Sequence, residues 1–258
     1  MPGGNDEREG VPLATALSAS GVVCLVGAGG KKTTLYRLAD VLDRAVVTAT
    51  VRIPRFDEEV ARVAVTEEPE PALTGNDEWP LGLVPERERT DSGFERYRGY
   101  DPAVVDGVGD AAADAGVDAV LVKADGARSR LLKAPDEREP QVPANADTVV
   151  PVASARVVGK PLTEEHVHRP ERVAALTGLE RGERIGADDV ATVLASDDGG
   201  LKGVPDDAQA VPLVNMVDDE TLEATARDVA RGVLDRTSVE RVVLSRMNAP
   251  DPVVAVVE

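Results

Sequence analysis

Two hydrophobic periodicities alternate along this chain. Apolar runs occur without a break at Val22 to Val26 and Ala119 to Val122, and apolar-rich stretches at Ala45 to Val51, Thr148 to Ala153 and Val239 to Leu244. Runs apolar at every position read as strands covered on both faces, the habit of parallel sheets. Between them, apolar residues recur at helical spacing, as in Leu35, Leu38, Ala39 and Leu42, and again over Pro102 to Ala115, Gly186 to Leu194 and Thr221 to Leu234. Asp101 is placed to cap the helix that starts at Pro102, Gly116 to end it, and Asp188 to cap a later one. Pro12 to Ala19 predicts a short leading helix, and Ala210 to Asp218 a further strand. Strand–helix alternation of this kind predicts an α/β fold: a mainly parallel sheet with helices on both faces. Residues 1–11 are polar and glycine-rich, a predicted disordered tail, and residues 12–258 form one predicted domain. Residues 56–101 break the pattern with four prolines and dense charge. They predict a less regular insertion: one or two short strands with a helix between, then a loop at Arg96 to Tyr100. Residues 128–143 predict an ordered loop.

The first strand runs directly into Gly27-Ala28-Gly29-Gly30-Lys31-Lys32-Thr33-Thr34, where a helix begins. Glycines let backbone N–H groups approach a ligand, and a helix N-terminus with a lysine suits phosphate. This is P-loop chemistry on a P-loop NTPase-like fold, and it implies ATP or GTP with Mg²⁺. It departs from the strict G-x-x-x-x-G-K-[ST] pattern. Lys32 with Thr33 keeps the lysine–hydroxyl adjacency; Lys31 is the alternative phosphate lysine. Asp125, just past the strand Ala119 to Val122, occupies the position of an acid that would hold Mg²⁺ together with Thr33. Arg128 and its neighbours Arg130 and Lys133 are candidates to stabilise transferring charge, and His168 beside Arg169 is a candidate general acid or base. Thr50 and Arg52 end the second strand on the edge where open α/β sheets bind substrates. Asn215 and Asp218 keep the N-x-x-D spacing that reads guanine, with Met216 between them. A dinucleotide G-x-G-x-x-G reading fits less well, because Lys32 stands at its third glycine and the second strand ends without an acid for a ribose.

A net charge of −18 argues against a nucleic-acid partner. Dispersed acids, with aromatics at 2%, suit a cytoplasmic protein of a halophile, where high salt screens self-repulsion. Cys24 lies inside the first strand and reads as packing; one cysteine and two histidines leave little room for a zinc site. No apolar run has membrane-spanning length, so no membrane partner is expected. Lysine is scarce, six against 23 arginines, and all six fall in or beside glycine- or proline-bearing loops: Lys31, Lys32, Lys123, Lys133, Lys160 and Lys202. That placement suggests ammonium groups kept near anions.

Taken in order, G-A-G-G-K-K-T-T-L, V-T-A-T-V-R-I-P, A-D-G-A-R, L-K-A-P, G-K-P-L, V-H-R-P-E and a closing V-P-L-V-N-M-V-D resemble the YqeC family over roughly residues 12–245. That family is described as selenium-dependent hydroxylase accessory, or selenium cofactor biosynthesis, proteins. The resemblance implies a nucleotide-binding protein acting in maturation of a selenium-dependent molybdenum hydroxylase, through Mg²⁺-dependent phosphate hydrolysis or transfer. The partner would be a selenium or molybdenum-cofactor species, or the hydroxylase itself. It places Lys133, Glu139, His168 and Arg169 on the second substrate's side. The chain departs from the family's usual residues at Lys123, Met216 and Lys32. The alternatives are a non-enzymatic, nucleotide-gated chaperone or carrier and, further off, an NAD-binding oxidoreductase.

Overall fold

The computed structural model describes residues 11–258; the expected tail lies outside the described residues except for Val11. Helix α1 (Leu13–Ala16) leads into β1 (Gly21–Gly27), α2 (Lys31–Val41) and β2 (Ala45–Ala49). Five short strands follow: β3 (Ile53–Pro54), β4 (Arg62–Val65), β5 (Leu81–Val84), β6 (Arg87–Arg89) and β7 (Glu95–Tyr97). Next come α3 (Pro102–Asp114), β8 (Ala119–Lys123), β9 (Leu132–Lys133), β10 (Thr148–Ser154), β11 (Val167–His168), α4 (Pro170–Thr177) and α5 (Ala187–Ala195). The chain closes with β12 (Gln209–Ala210), β13 (Leu213–Asn215), α6 (Glu220–Leu234), β14 (Val242–Ser245) and β15 (Val253–Val257).

The main sheet has ten strands in the order β15-β14-β13-β10-β1-β8-β2-β5-β4, with β12 also against β10. All its pairings are parallel except β14 with β15. The expected α/β architecture is therefore present, and β1 lies near the centre. Its side chains alternate between two cores, as a period of two requires. Val23 and Leu25 pack with Leu35 and Leu38 of α2, whereas Val22, Cys24 and Val26 pack with Val105 and Val108 of α3. A third core joins α4, α5 and α6 to the β13–β14 side. Cys24 is fully buried, and burial drives its thiol pKa upward, so it serves as packing.

The structure corrects the expectations in five places. Within residues 56–101 the expected short strands are present as β4 and β5 and extend the main sheet, but the helix expected between them is only a short 3-10 turn (Glu70–Ala72). Arg96 lies not in a loop but in β7, which pairs with β3 and β6. Helix α5 is capped by Gly186, whose N–H is held by Asp189 at 2.7 Å, while Asp188 pairs outward with Arg236. The strand expected over 210–218 is broken into β12 and β13, and ends at Asn215 because Met216 turns left-handed at φ +63°. The last strand, β15, had no counterpart in the sequence reading.

Candidate functional site

The parallel strands β1, β8 and β2 bring Gly27, Lys123 and Thr50 to one edge of the sheet, where the glycine turn leaves β1. Gly27 (φ +86°) and Gly30 (φ +125°) occupy conformations that a side chain resists. A Cβ on Gly27 would overlap the Val152 carbonyl, and one on Gly30 would overlap the Asn215 amide. The turn's first amides are spent on the protein: Gly27 N–H donates to Asp125 Oδ2 at 2.8 Å, Ala28 to Val152 O at 2.8 Å and Gly29 to Arg130 O at 2.9 Å. The amides from Gly30 to Thr33, at the start of α2, have no protein acceptor among the described residues, and no side chain caps this helix. Those are the donors open to an anion.

Beneath the turn lies a buried chain of ions. Lys31 is only 5% exposed; its Nζ pairs with Asp125 Oδ1 at 2.8 Å and donates to the Gly27 carbonyl. Lys133 Nζ donates to Asp125 Oδ2 at 2.8 Å, to Gly126 O at 2.6 Å and to Glu139 at 2.7 Å. Glu139 also receives Arg169 at 2.6 Å, and Arg169 reaches Asp136 at 2.5 Å. Burial pushes the Asp125 carboxyl upward, but Lys31 and Lys133 outweigh it and hold the group ionised below its ordinary range. Lys31 is lowered, chiefly by burial, with Asp125 opposing. Lys32 and Thr33, by contrast, are exposed on the rim. Both Asp125 oxygens already face ammonium groups. A directly bound Mg²⁺ would need one of those oxygens at about 2.0–2.1 Å, so the Asp125–Thr33 pair as arranged does not fit that ion.

Over the turn opens a cavity of about 560 Å³ whose lining carries Lys31, Lys32, Arg52, Arg96, Lys123, Arg128 and Arg130 and no acid. Arg52 and Arg96 converge on one carboxylate, Glu88, at 2.8 Å each. Lys123 is buried on β8, and its Nζ donates to the Arg52 carbonyl at 3.0 Å. Burial, with repulsion from Lys31 added, lowers its pKa to about 7. Lys123 and Arg96 were not among the sequence candidates. The scarcity of lysine pointed to the first; nothing pointed to Arg96, which the β7 pairing delivers. Four of the six lysines, Lys31, Lys32, Lys123 and Lys133, gather here, and Lys202 donates to the Asp136 carbonyl at 2.5 Å at the far end of the ion chain.

The other candidates are placed differently. Thr50 is buried and donates its hydroxyl to Gln141 O at 2.6 Å, and Thr34 donates to Gly30 O at 3.2 Å. Asn215 donates to Gly29 O at 2.9 Å and accepts from Ser245 at 3.0 Å, so its amide clamps the glycine turn to β13 and β14. Asp218 pairs with Arg156 at 2.5 Å on the surface. His168 and Lys133 are register partners in the β11–β9 pair, and His168 borders a smaller cavity with Arg128, Arg130 and Arg169. Among the described residues no cluster of three His, Cys, Asp or Glu side chains forms a metal cage, and no helix is long and apolar enough to cross a membrane.

A family model described as "YqeC protein" matches residues 23–171, which include the glycine turn, Asp125, Lys133, Glu139, His168 and Arg169. The chain is also similar to "Uncharacterized protein YqeC" of Escherichia coli (strain K12), with 28% identity over 201 residues, 75% of each chain.

Two stability measurements check this geometry. Asp125→Ala strands Lys31 in the interior, and the expected loss is about 3–5 kcal/mol, read as a lower denaturant midpoint at unchanged slope. Lys123→Met should stabilise the fold by about 1–4 kcal/mol at neutral pH. Lys123 titrates near 7 when folded and at its ordinary 10.5 when unfolded. Between these values the unfolded chain binds more protons, so wild-type stability rises with pH across the window. The advantage of Lys123→Met should therefore shrink from pH 7 toward pH 10; a constant advantage would show that Lys123 is not desolvated.

Proposed function

The chain belongs to the YqeC family, and on that premise we propose that it binds the phosphates of a nucleotide, ATP or GTP, in the basic cavity over the glycine turn. The carrying observation is seven cationic side chains and no acid around one cavity in a chain of net charge −18. A volume of about 560 Å³ lies within the range of small-molecule sites, roughly 300–1,000 Å³. In this reading the amides of Gly30 to Thr33 receive a terminal phosphate. Lys31 turns from Asp125 toward the phosphates, Lys133 keeps Asp125 ionised, and Lys32, Arg52, Lys123 and Arg128 spread the remaining negative charge. The protein's own ammonium and guanidinium groups thus take the neutralising part usually given to a metal ion. The role in maturing a selenium-dependent molybdenum hydroxylase, with the hydroxylase or a cofactor species as partner, is proposed on the family resemblance.

No carboxylate or imidazole lines the cavity among the described residues. In a reading with turnover, Lys123, with its pKa of about 7, would therefore take the proton from an attacking group. Without turnover the protein acts as a nucleotide-gated carrier. The nicotinamide reading loses support, since Lys32 holds the third-glycine position and the hydroxyl of Thr50 is already committed to Gln141.

Calorimetric titration in molar KCl tests the site, with ATP, GTP, NAD and pyrophosphate, each with Mg²⁺ and again with EDTA. The triphosphates and pyrophosphate should bind, NAD more weakly, and binding should survive EDTA. Replacing Lys31 by Met together with Lys32 by Ala removes two charge-assisted contacts of about 1.5–3 kcal/mol each, roughly a hundredfold loss or more. Wild-type affinity in that variant, or no binding by any of the four, would sink the proposal. Phosphate release at background despite tight binding would select the carrier.

A further inference from the structure

We propose that a second, smaller anion subsite adjoins the phosphate cavity, formed by Arg128, Arg130 and His168, and that it seats a small oxyanion-bearing co-substrate beside the bound phosphates. This rests on the reading of the larger cavity as the phosphate site. The smaller cavity measures about 290 Å³, just below the usual range for drug-sized ligands, so it suits a compact oxyanion rather than a second nucleotide. Arg128 and Arg130 line both cavities and form the wall between them.

That wall is held from both sides. The Arg130 carbonyl receives Gly29 N–H of the glycine turn at 2.9 Å, while Arg130 Nε donates to the Glu164 carbonyl at 2.5 Å on the other side. Leu131 N–H, next in the chain, donates to His166 O at 2.8 Å. Arg128 and Ser129 are left-handed non-glycine residues, φ +47° and +58°, a conformation of order 1–3 kcal/mol that persists only where surroundings impose it. The guanidinium of Arg128 has no hydrogen bond or ion pair among the described residues, although acids outnumber bases in the chain, 47 to 29. Arg169 is committed to Asp136 and Glu139 and acts as a fixed wall. Two acids also border the cavity: Glu164 pairs with Arg181 at 3.2 Å, and Glu171 is exposed in the first turn of α4. His168 is kept neutral down to a pKa of about 4, by burial first and then by Arg169 and Lys133, so its ring offers a hydrogen bond without adding charge. An anion entering beside it meets the free guanidinium of Arg128 first, and Arg128 then bridges the two ligands.

The test uses the full chain. Crystals soaked in sodium tungstate should show two anomalous peaks, one over Gly30 to Thr33 and one between Arg128, Arg130 and His168. In solution, protein saturated with pyrophosphate should take up one further orthophosphate. Arg128→Ala, at an exposed side chain, should weaken both sites at least fivefold; Lys32→Ala should affect only the first and His168→Ala only the second. A single peak over the glycine turn would overturn the second subsite and leave the phosphate cavity standing. No peak in either place would overturn the phosphate reading and the subsite with it. A peak in the smaller cavity alone would overturn the paired site.

Discussion

The ion pair between Lys31 and Asp125 is the constraint from which the rest of the site follows. Asp125 is fully buried, yet it is ionised because Lys31 and Lys133 approach it at 2.8 Å from two sides and Gly27 N–H donates to it. A buried carboxylate without such partners would be strongly unfavourable. The arrangement in turn fixes the backbone. Gly27 turns left-handed where a Cβ would overlap the Val152 carbonyl, and α2 begins at Lys31, whose ammonium points inward to Asp125. Asn215 then holds Gly29 from the opposite side. The glycine turn is thus positioned by charge and hydrogen bonds before any ligand arrives.

Placing so many cations at one edge is consistent with the strongly acidic remainder of the chain. A surplus of acids spread over the surface repels anions at a distance, an effect that salt screens beyond about 8–10 Å. Within the cavity, local guanidinium and ammonium groups govern instead, and partial burial protects their interaction from screening. The proposed anion binding would for that reason survive added salt better than interactions on the outer surface. Lys123 marks the limit of such crowding: burial and its lysine neighbours depress its pKa to about 7, where an added anion would restore the charge.

The central sheet was legible because its strands are covered on both faces and therefore read as continuous apolar runs. Asp101 and Gly116 delimited α3 through chemistry local to the chain. In the 56–101 segment the two short strands β4 and β5 were legible as apolar bursts, but the small β3–β7–β6 sheet was not. The segment is held by long-range polar pairs such as Arg98 with Glu67, and by Phe56 set edge-on to Tyr97 with ring centres 5.3 Å apart. Neither leaves a periodic trace. The two adjacent lysines posed a similar problem. Successive helix residues point about 100° apart, so one had to face Asp125 and the other solvent. The sequence pattern slightly favoured Lys32 by its adjacency to Thr33; tertiary position makes Lys31 the buried one. Asn215 fits a base-reading spacing but is consumed by the turn's backbone, a use that spacing alone does not distinguish.

The buried ions form a continuous line from the larger cavity to the edge of the smaller one: Lys31, Asp125, Lys133, Glu139 and Arg169. Neighbours in this line share carboxylates, so no member changes partner alone. Drawing Lys31 toward a phosphate leaves Asp125 with Lys133 as its one remaining ammonium partner, and strengthens that pair. Lys133 then has less to give Glu139, and Glu139 leans more on Arg169, which borders the smaller cavity. Arg128 and Arg130 link the same two cavities from above. On the proposed reading, such a site would register its first anion at its second cavity without a hinge, through charge redistribution along groups already in contact. In that proposal the glycine turn supplies the geometry for one ligand, and the ion line beneath it would tie that ligand to the one bound next to it.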